Sequence, residues 1–571
     1  MEWFEVGPGG KRLVVVGGGQ SCRWLLYALA EQLVRDPGKL GGTHITVVEK
    51  QAEWGVGLAW SRRHVLEAHL ASRGSLLTRW SYGDRQQRQF AGTVELLRET
   101  GSPVTLLTGE EVVDLVEHAK GFELSLASGA RLAADYVVLA TGYGLAPWGG
   151  KAAALHLQTL GSDIGIHTSP WPAQALERLF PLLSRDRILV LGSYLTAIDT
   201  VVSLAAHAGR FEARPDGHFV YQAPPGFTVC MASRTGLLPV VSAREASREW
   251  TLRHFTATAL QARLESTDRG SFLSLHAALR LLGEELALAA LEVDGRVPLA
   301  LQHVSDPARR LRALGRAAVR RDCGERLRAD IASVMSTGLP YGTYEQLRSC
   351  GWQLPLDRAI ALWNEYSPWF CAEDALCFES GLRTVFFNHM LPVTLNSALQ
   401  LDALLRSGHL RVLTLGRDYR LATGVRGGPR YVLRYGAPAS AQEETFDYIV
   451  DATGQSFDLE HSRSPLMQAM RRRGTIQPAL RAYRHRLTPE ARDLCGSSVL
   501  EQGGRNYRRC RGIFVNPRTC EAIPEGEVDA DFTRARTGGL YAMGPPLAGQ
   551  FTDSQSIGQA QRDARRIVAD L

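Results

Sequence analysis

Lysine is confined to Lys11, Lys39, Lys50, Lys120 and Lys151, so no lysine nucleophile is available beyond that point. The remaining basic residues are arginines, a skew that a GC-rich coding sequence produces. The net charge of +6 is therefore no argument for a nucleic-acid partner. No apolar run approaches the ~18 residues of a membrane-spanning helix. The opening MEWFEVGPGGKRLVVVGGG lacks the charged, apolar, small-residue order of a signal peptide. The expectation is a cytoplasmic protein without a membrane partner. The nine cysteines are scattered without C-x-x-C spacing, and Cys495, Cys510 and Cys520 have no histidine at finger spacing. Zinc sites and redox dithiols are unsupported, and reduced thiols in a cytosolic protein are expected. Ser-His-Asp order, H-E-x-x-H and metal constellations are also missing. No metal is expected, and a cofactor must carry any chemistry.

What is present begins with LVVVGGGQSCRWLLYALAEQL, a β-branched run, a glycine cluster and a helical pattern. A valine strand of this kind needs burial on both faces, as in a parallel sheet. Gly17 permits a tight turn, Gly18 continues it, and Gly19 lets the backbone approach a pyrophosphate. The amides from Gln20 and Ser21 onward then face the phosphates at a helix N-terminus. Cys22 stands at the third position, where a small residue allows close helix–strand packing. HITVVEK ends in Glu49, placed to accept hydrogen bonds from a ribose hydroxyl. Its charge would repel a 2′-phosphate, which leaves FAD or NAD for this first site.

Two further strands close alike, ADYVVLATGYG at Thr141-Gly142 and FDYIVDATGQSFD at Thr453-Gly454. With these motifs the chain resembles the two-dinucleotide flavoproteins, in which the first loop holds FAD and the second NAD(P)H. RDRILVLGSYLTAID falls where that resemblance expects the second loop, with Gly192 at the turn and Ala197 at the packing position. Tyr194 replaces the glycine that would admit the pyrophosphate. Either its ring points away and Ser193 and Thr196 assist phosphate binding, or it blocks the site. Ser233 and Arg234 end the next strand, where an Arg fork suits a 2′-phosphate or is a solvated surface residue.

The set GGGQSC, VGLAWS, ATGYG, GSYLTAID, SRTGLLP, VDATG and LYAMGPPLAGQFTDSQS resembles the FAD/NAD(P)-binding family related to flavin N-monooxygenases. Within it the chain is similar to members that oxidise an amino-acid amine, such as the aspartate-to-nitrosuccinate enzymes. The implied fold is α/β, two Rossmann-like domains with a helical insertion. FAD segments occupy residues 1–150 and 461–571, NAD(P)H segments 151–244 and 381–460, and the insertion 245–380. The implied activity is NADPH-driven N-hydroxylation of a small amino acid or related metabolite by molecular oxygen, through a C4a-hydroperoxyflavin. It extends to a nitroso or nitro product if oxidation continues.

A flavin C-hydroxylase and a non-catalytic FAD-binding regulator remain as alternatives. A disulfide reductase is disfavoured, because no cysteine pair follows the first helix. Trp60, Ser61, His64 and His69 are expected at the flavin pocket, either histidine being a candidate proton acceptor. Asn388, next to His389 in FFNHMLP, is a buried polar residue that needs a partner. It is either structural or in contact with ligand. Gly544 and Asp553 are expected where a last helix points at the flavin, Asp553 being otherwise only an N-cap. Arg309, Arg312, Arg316 and Arg320 share a helix face, as a solvated surface or a cationic lid.

Overall fold

A computed structural model describes residues 10–66, 78–143, 151–158, 165–242, 250–267, 270–298, 301–302, 306, 309, 322–338, 351–424, 430–436, 440–455, 457–528 and 538–571. His69, Arg312, Arg316 and Arg320 lie outside the described residues.

Ten strands build the two large sheets. In chain order they are β1 (Arg12–Val16), β2 (His44–Glu49), β3 (Val104–Thr108), β4 (Tyr136–Leu139), β5 (Ile166–His167), β6 (Ile188–Leu191), β7 (Val229–Ser233), β8 (Leu410–Thr414), β9 (Tyr448–Asp451) and β10 (Leu540–Ala542). The first sheet has the order β10-β4-β1-β2-β3 and the second β8-β7-β6-β9-β5, and every pairing is parallel. Each glycine-loop strand is central, and its neighbours are the A-T-G strand and the strand carrying Glu49 or Ser233. Parallel strands covered on both faces explain the unbroken apolar runs of β1 and β6. Four of the five residues of β1, and all four of β6, are buried.

Eight helices bear on the sites and the cores: α1 (Gln20–Arg35), α2 (Arg79–Glu99), α3 (Leu195–Ala208), α4 (Leu275–Asp294), α5 (Leu356–Tyr366), α6 (Arg383–Met390), α7 (Leu395–Arg406) and α8 (Ile557–Asp570). Helix α1 packs on β1 through Cys22, Leu25, Leu26 and Leu29, and α8 joins the same core through Ala564 and Ile567. Helix α3 packs on the second sheet through Ala197, Val201 and Leu204, beside α7.

A three-stranded antiparallel sheet precedes each A-T-G strand, at 112–134 and at 420–446. The sequence pattern alone does not separate these strands from the loops. The segment read as a helical insertion also holds a hairpin, Leu264–Thr267 against Gly270–Leu273. Its core gathers α4 and α5 around Trp363, which meets Phe370, Phe378 and Phe386 at 4.6–5.5 Å between centroids. Trp352, Trp363 and Trp369 are all buried, as core residues.

One buried carboxylate organises the entry to this helical region. Glu285, on α4, accepts hydrogen bonds from Trp250 Nε1 (2.7 Å) and from the backbone amides of Arg253, His254 and Phe255 (2.6–2.9 Å). Burial opposes ionisation, but these donors outweigh it and hold the carboxyl below its usual pKa. The stabilisation is therefore present above the unfolded pKa and is lost as pH falls through the lower folded value. Glu285→Gln, which turns donors toward donors, should lower stability by about 1–3 kcal/mol at pH 7. In thermal melts the gap from wild type should narrow below pH 4, and a gap that widens with acid would contradict this.

Candidate functional site

The two glycine turns have the same construction. Gly17 adopts φ +104° and Gly192 φ +116°, conformations that side-chain-bearing residues avoid. A Cβ on Gly17 would strike the Ala140 carbonyl oxygen, and one on Gly192 the Ala452 carbonyl oxygen. Each of these carbonyls immediately precedes the Thr-Gly that closes the neighbouring strand. Gly17 N donates to Val48 O (2.8 Å), and Gly192 N donates to Ala232 O (2.7 Å). The small residues one turn into the helices, Cys22 and Ala197, are fully buried. Burial raises the Cys22 thiol, so this residue packs rather than reacts.

Gly19 and Tyr194 occupy the N-cap positions of α1 and α3, and neither helix has a side-chain cap. Their first amides therefore have no capping side chain, and at α1, headed by glycine, this is the arrangement a dinucleotide phosphate requires. In the first loop Gly18 N donates to Glu49 Oε2 (2.6 Å) and Gln51 N to Glu49 Oε1 (2.7 Å). Glu49 is thus held at the loop, with further lone pairs on both oxygens. A Cβ on Gly19 would lie 3.5 Å from Gly57 Cα, in van der Waals contact, so at this position the first loop carries no side chain over its backbone. Gln20 reaches back to Gly55 O (3.0 Å).

Ser21 lies against Gly544, whose amide donates to Asp563 Oδ2 (3.2 Å) on α8. Burial raises the Asp563 pKa to about 6, despite the opposing Arg566 and the donors from Gly544 and Gln559. Among the described residues the buried Thr141 Oγ1 has no hydrogen-bond partner, and Gly142 has open space where a Cβ would stand. These features suit a polar ligand entering between α1 and the end of β4.

Trp60 ends a short helix, Gly57–Trp60, and packs on Tyr82 at 4.5 Å. Ser61 is buried and hydrogen-bonded to Glu53. His64 Nε2 lies 3.4 Å from Gln51 Oε1, and its Nδ1 is buried without a partner. Burial lowers the His64 pKa, against Glu53 and with Arg63, so the ring is neutral at pH 7. Asp553 is not the cap of the last helix; Ser556 is, its side chain accepting from Gln559 N. Asp553 instead accepts from Gln555 N (2.9 Å) and Ser556 N (3.1 Å), and its own backbone is held on both sides by Asn364 of α5.

Four residues not singled out from the sequence, Arg79, Asp199, Trp171 and Tyr143, join this region. The Arg79 guanidinium meets Asp199 Oδ2 at 2.6 Å, linking α2 to α3, and lies over Trp60 (4.8 Å) and Trp171 (5.7 Å). The Tyr143 phenol is raised by burial and by Asp553, against Arg79. The one available signal was Asp199, a carboxylate within the apolar helical stretch LTAIDTVVSLA.

In the second loop Ser193 is buried and donates to Leu237 O (2.7 Å), with Ser233 Oγ 3.0 Å away. Its hydroxyl therefore faces the protein rather than the helix mouth, where Thr196 is half-buried. Tyr194 points to α6, its OH lying 2.7 Å from Asn388 Oδ1 and 3.1 Å from Thr384 O. Burial raises the phenol, partly offset by Arg383 and Arg234, so it is a neutral donor. Asn388 is fully buried, and its Nδ2 has no partner among the described residues. His389 meets Trp352 edge-on at 5.1 Å, and burial lowers its pKa to about 4. Arg234 is exposed beyond β7. Thr453 Oγ1 donates to the buried Asp451 (2.6 Å), and Gly454 leaves open space where a Cβ would stand.

Among the described residues all cysteines are free, and no cluster of three metal-ligating side chains occurs. None of the helices in the described residues is long and apolar enough to cross a membrane.

The chain is 22% identical over 478 residues to the uncharacterized protein YdhS of Escherichia coli K12, covering 78% of this chain and 83% of that one. Among solved structures it is similar to the ornithine N-hydroxylase KtzI of Kutzneria sp. 744 (13% identity, 98% of each chain, TM-score 0.42). It is also similar to the thioredoxin reductase of T. acidophilum (10% identity, 98% of this chain and 97% of that one, TM-score 0.37). Those two proteins perform different chemistry, and neither likeness assigns an activity here. Residues 60–144, from Trp60 through the first A-T-G turn, match the family model described as FAD-NAD(P)-binding.

Proposed function

We propose that the protein is an FAD-dependent, NADPH-driven monooxygenase that N-hydroxylates the amine of a small amino acid or related metabolite. The observation that carries this reading is the duplicated turn, Gly17 against Ala140 O and Gly192 against Ala452 O, each heading an uncapped helix. The first site, with Glu49 at its loop, suits FAD. The second, with Arg234 beyond β7, suits NADPH. The domain arrangement proposed from the sequence follows the same division. N-oxidation as the outcome is supported by the sequence resemblance.

Bound flavin, once reduced, supplies the activation of molecular oxygen. The chain's own residues hold the cofactors, exclude water and keep the substrate amine unprotonated. In the first site the amides after Gly19 and the buried Thr141 Oγ1 would hold polar cofactor atoms. His64, neutral through burial and with Nδ1 unpartnered, is our candidate proton acceptor from the amine. Asn388 acts as a positioning residue, because its side chain bonds the Tyr194 phenol of the second loop. A thiol-exchange role has little support, since burial raises both Cys22 and Cys371.

Stopped-flow mixing with NADPH should bleach the flavin rapidly, and NADH should do so more slowly. Absence of bleaching with either would instead favour a flavin-binding protein without turnover. Oxygen uptake with a panel of amino acids should then yield hydroxylamine, nitroso or nitro products, and a ring-hydroxylated product would replace N- by C-oxidation.

Tyr194→Phe keeps the ring but leaves the buried Asn388 amide wholly unpaired. We expect a stability loss of about 1–3 kcal/mol and a raised KM for NADPH with kcat changed less. Unchanged melting and kinetics would remove Tyr194 from the site's architecture.

A further inference from the structure

A side chain at the second position of a dinucleotide turn keeps the pyrophosphate away from the backbone. The first loop has no side chain at that position, Gly19, whereas the second places Tyr194 there. The tyrosine ring does not end in solvent. Its hydroxyl reaches Thr384 O and Asn388 Oδ1, which fixes the first turn of α6 beside the mouth of α3.

Arg383 immediately precedes Thr384, and its guanidinium rests on the Phe387 ring at 4.7 Å, a contact that orders the side chain in advance. From the other side comes Arg234, which follows Ser233, a residue within 3.0 Å of Ser193 in the same loop. Both arginines are exposed, and neither is held in an ion pair among the described residues. Glu379, the carboxylate that attracts Arg383, is itself paired with Arg508 at 2.8 Å. Burial is the main influence that lowers the Arg383 pKa, with Arg511 and Arg234 adding to it, and Arg383 and Arg234 both act on the Tyr194 oxygen. Two cations that both reach the Tyr194 phenol, neither in an ion pair among the described residues, form a site that an anion would stabilise.

We propose that Arg234 and Arg383 form a two-guanidinium phosphate clamp for the dinucleotide, which takes over the phosphate binding that Tyr194 denies to the second loop's backbone. Guanidinium forks bind phosphate oxygens bidentately and tolerate a longer reach than backbone amides. The helical region is then part of the nicotinamide site, because α6 supplies half of the clamp. This inference rests on the second loop's being that site.

Calorimetric titration of the FAD-loaded protein with ADP, 2′,5′-ADP, NAD+ and NADP+ tests both together. Wild type should bind the dinucleotides, and Arg383→Ala should weaken phosphate-bearing ligands roughly 10- to 100-fold, with Arg383→Lys partly restoring affinity. A loss shared by ADP, NAD+ and NADP+ identifies the pyrophosphate as the group clamped. A loss confined to 2′,5′-ADP and NADP+ overturns that assignment and leaves the 2′-phosphate as the group held. Flavin absorbance and melting temperature confirm that the variant is folded. If Arg383→Ala binds all four ligands like wild type, the clamp is wrong while the nicotinamide site stands. If wild type binds no dinucleotide, both are wrong.

Discussion

The contact on which the rest of the architecture depends is a glycine turn pressed against a neighbouring strand's carbonyl. Gly17 meets Ala140 O and Gly192 meets Ala452 O so closely that no Cβ fits. The chain must leave the central strand, turn at once and enter a helix whose first amides face outward. Because each carbonyl belongs to the residue before a Thr-Gly pair, the turn and the end of the adjacent strand form one surface. Two such surfaces in one chain are what make a two-cofactor reading physically specific.

The copies differ in how they are finished. At the first loop Glu49 takes two amide donors and the cap residue, Gly19, carries no side chain. At the second, Ser193 turns inward and Tyr194 occupies the cap, reaching α6 instead of an anion. The tyrosine is therefore less a defect in a glycine motif than a structural tie between the second loop and the helical region. A phenol raised by burial stays a donor across the physiological range, so this tie does not loosen with ordinary changes in pH.

How much of this could be read from sequence depends on the distance between partners along the chain. The glycine loops, Glu49, the A-T-G strands and the parallel character of the sheets were legible, because each is written in consecutive residues and apolar periodicity. The start of the last helix was misjudged, because Asp553 and Ser556 are both good caps and only the structure shows Ser556 doing the capping. The hairpin at 264–273 was absorbed into a helical reading, since four-residue strands carry little periodic signal. Arg79–Asp199, Glu285 with the 250–255 loop, and Asn364 with Asp553 join residues far apart in sequence, where no local pattern announces a partner.

Of those pairings, Arg79–Asp199 bears most directly on function. It is largely buried, with side-chain exposures of 11% and 9%, and it joins the helix after the Trp60 segment to the helix of the second loop. A buried ion pair adds little net stability, because desolvation of both charges offsets their attraction. Removing either partner, however, strands an uncompensated charge at a cost of roughly 3–5 kcal/mol. The pair therefore penalises arrangements in which α2 and α3 separate far more than it stabilises the one in which they meet. The same guanidinium also lies over the Trp60 and Trp171 rings, which adds to the contacts that hold α2 in place. Under the proposed function, in which reducing equivalents pass from one bound cofactor to another, the two loops need a fixed relation, and this salt bridge contributes to it by holding α2 against α3.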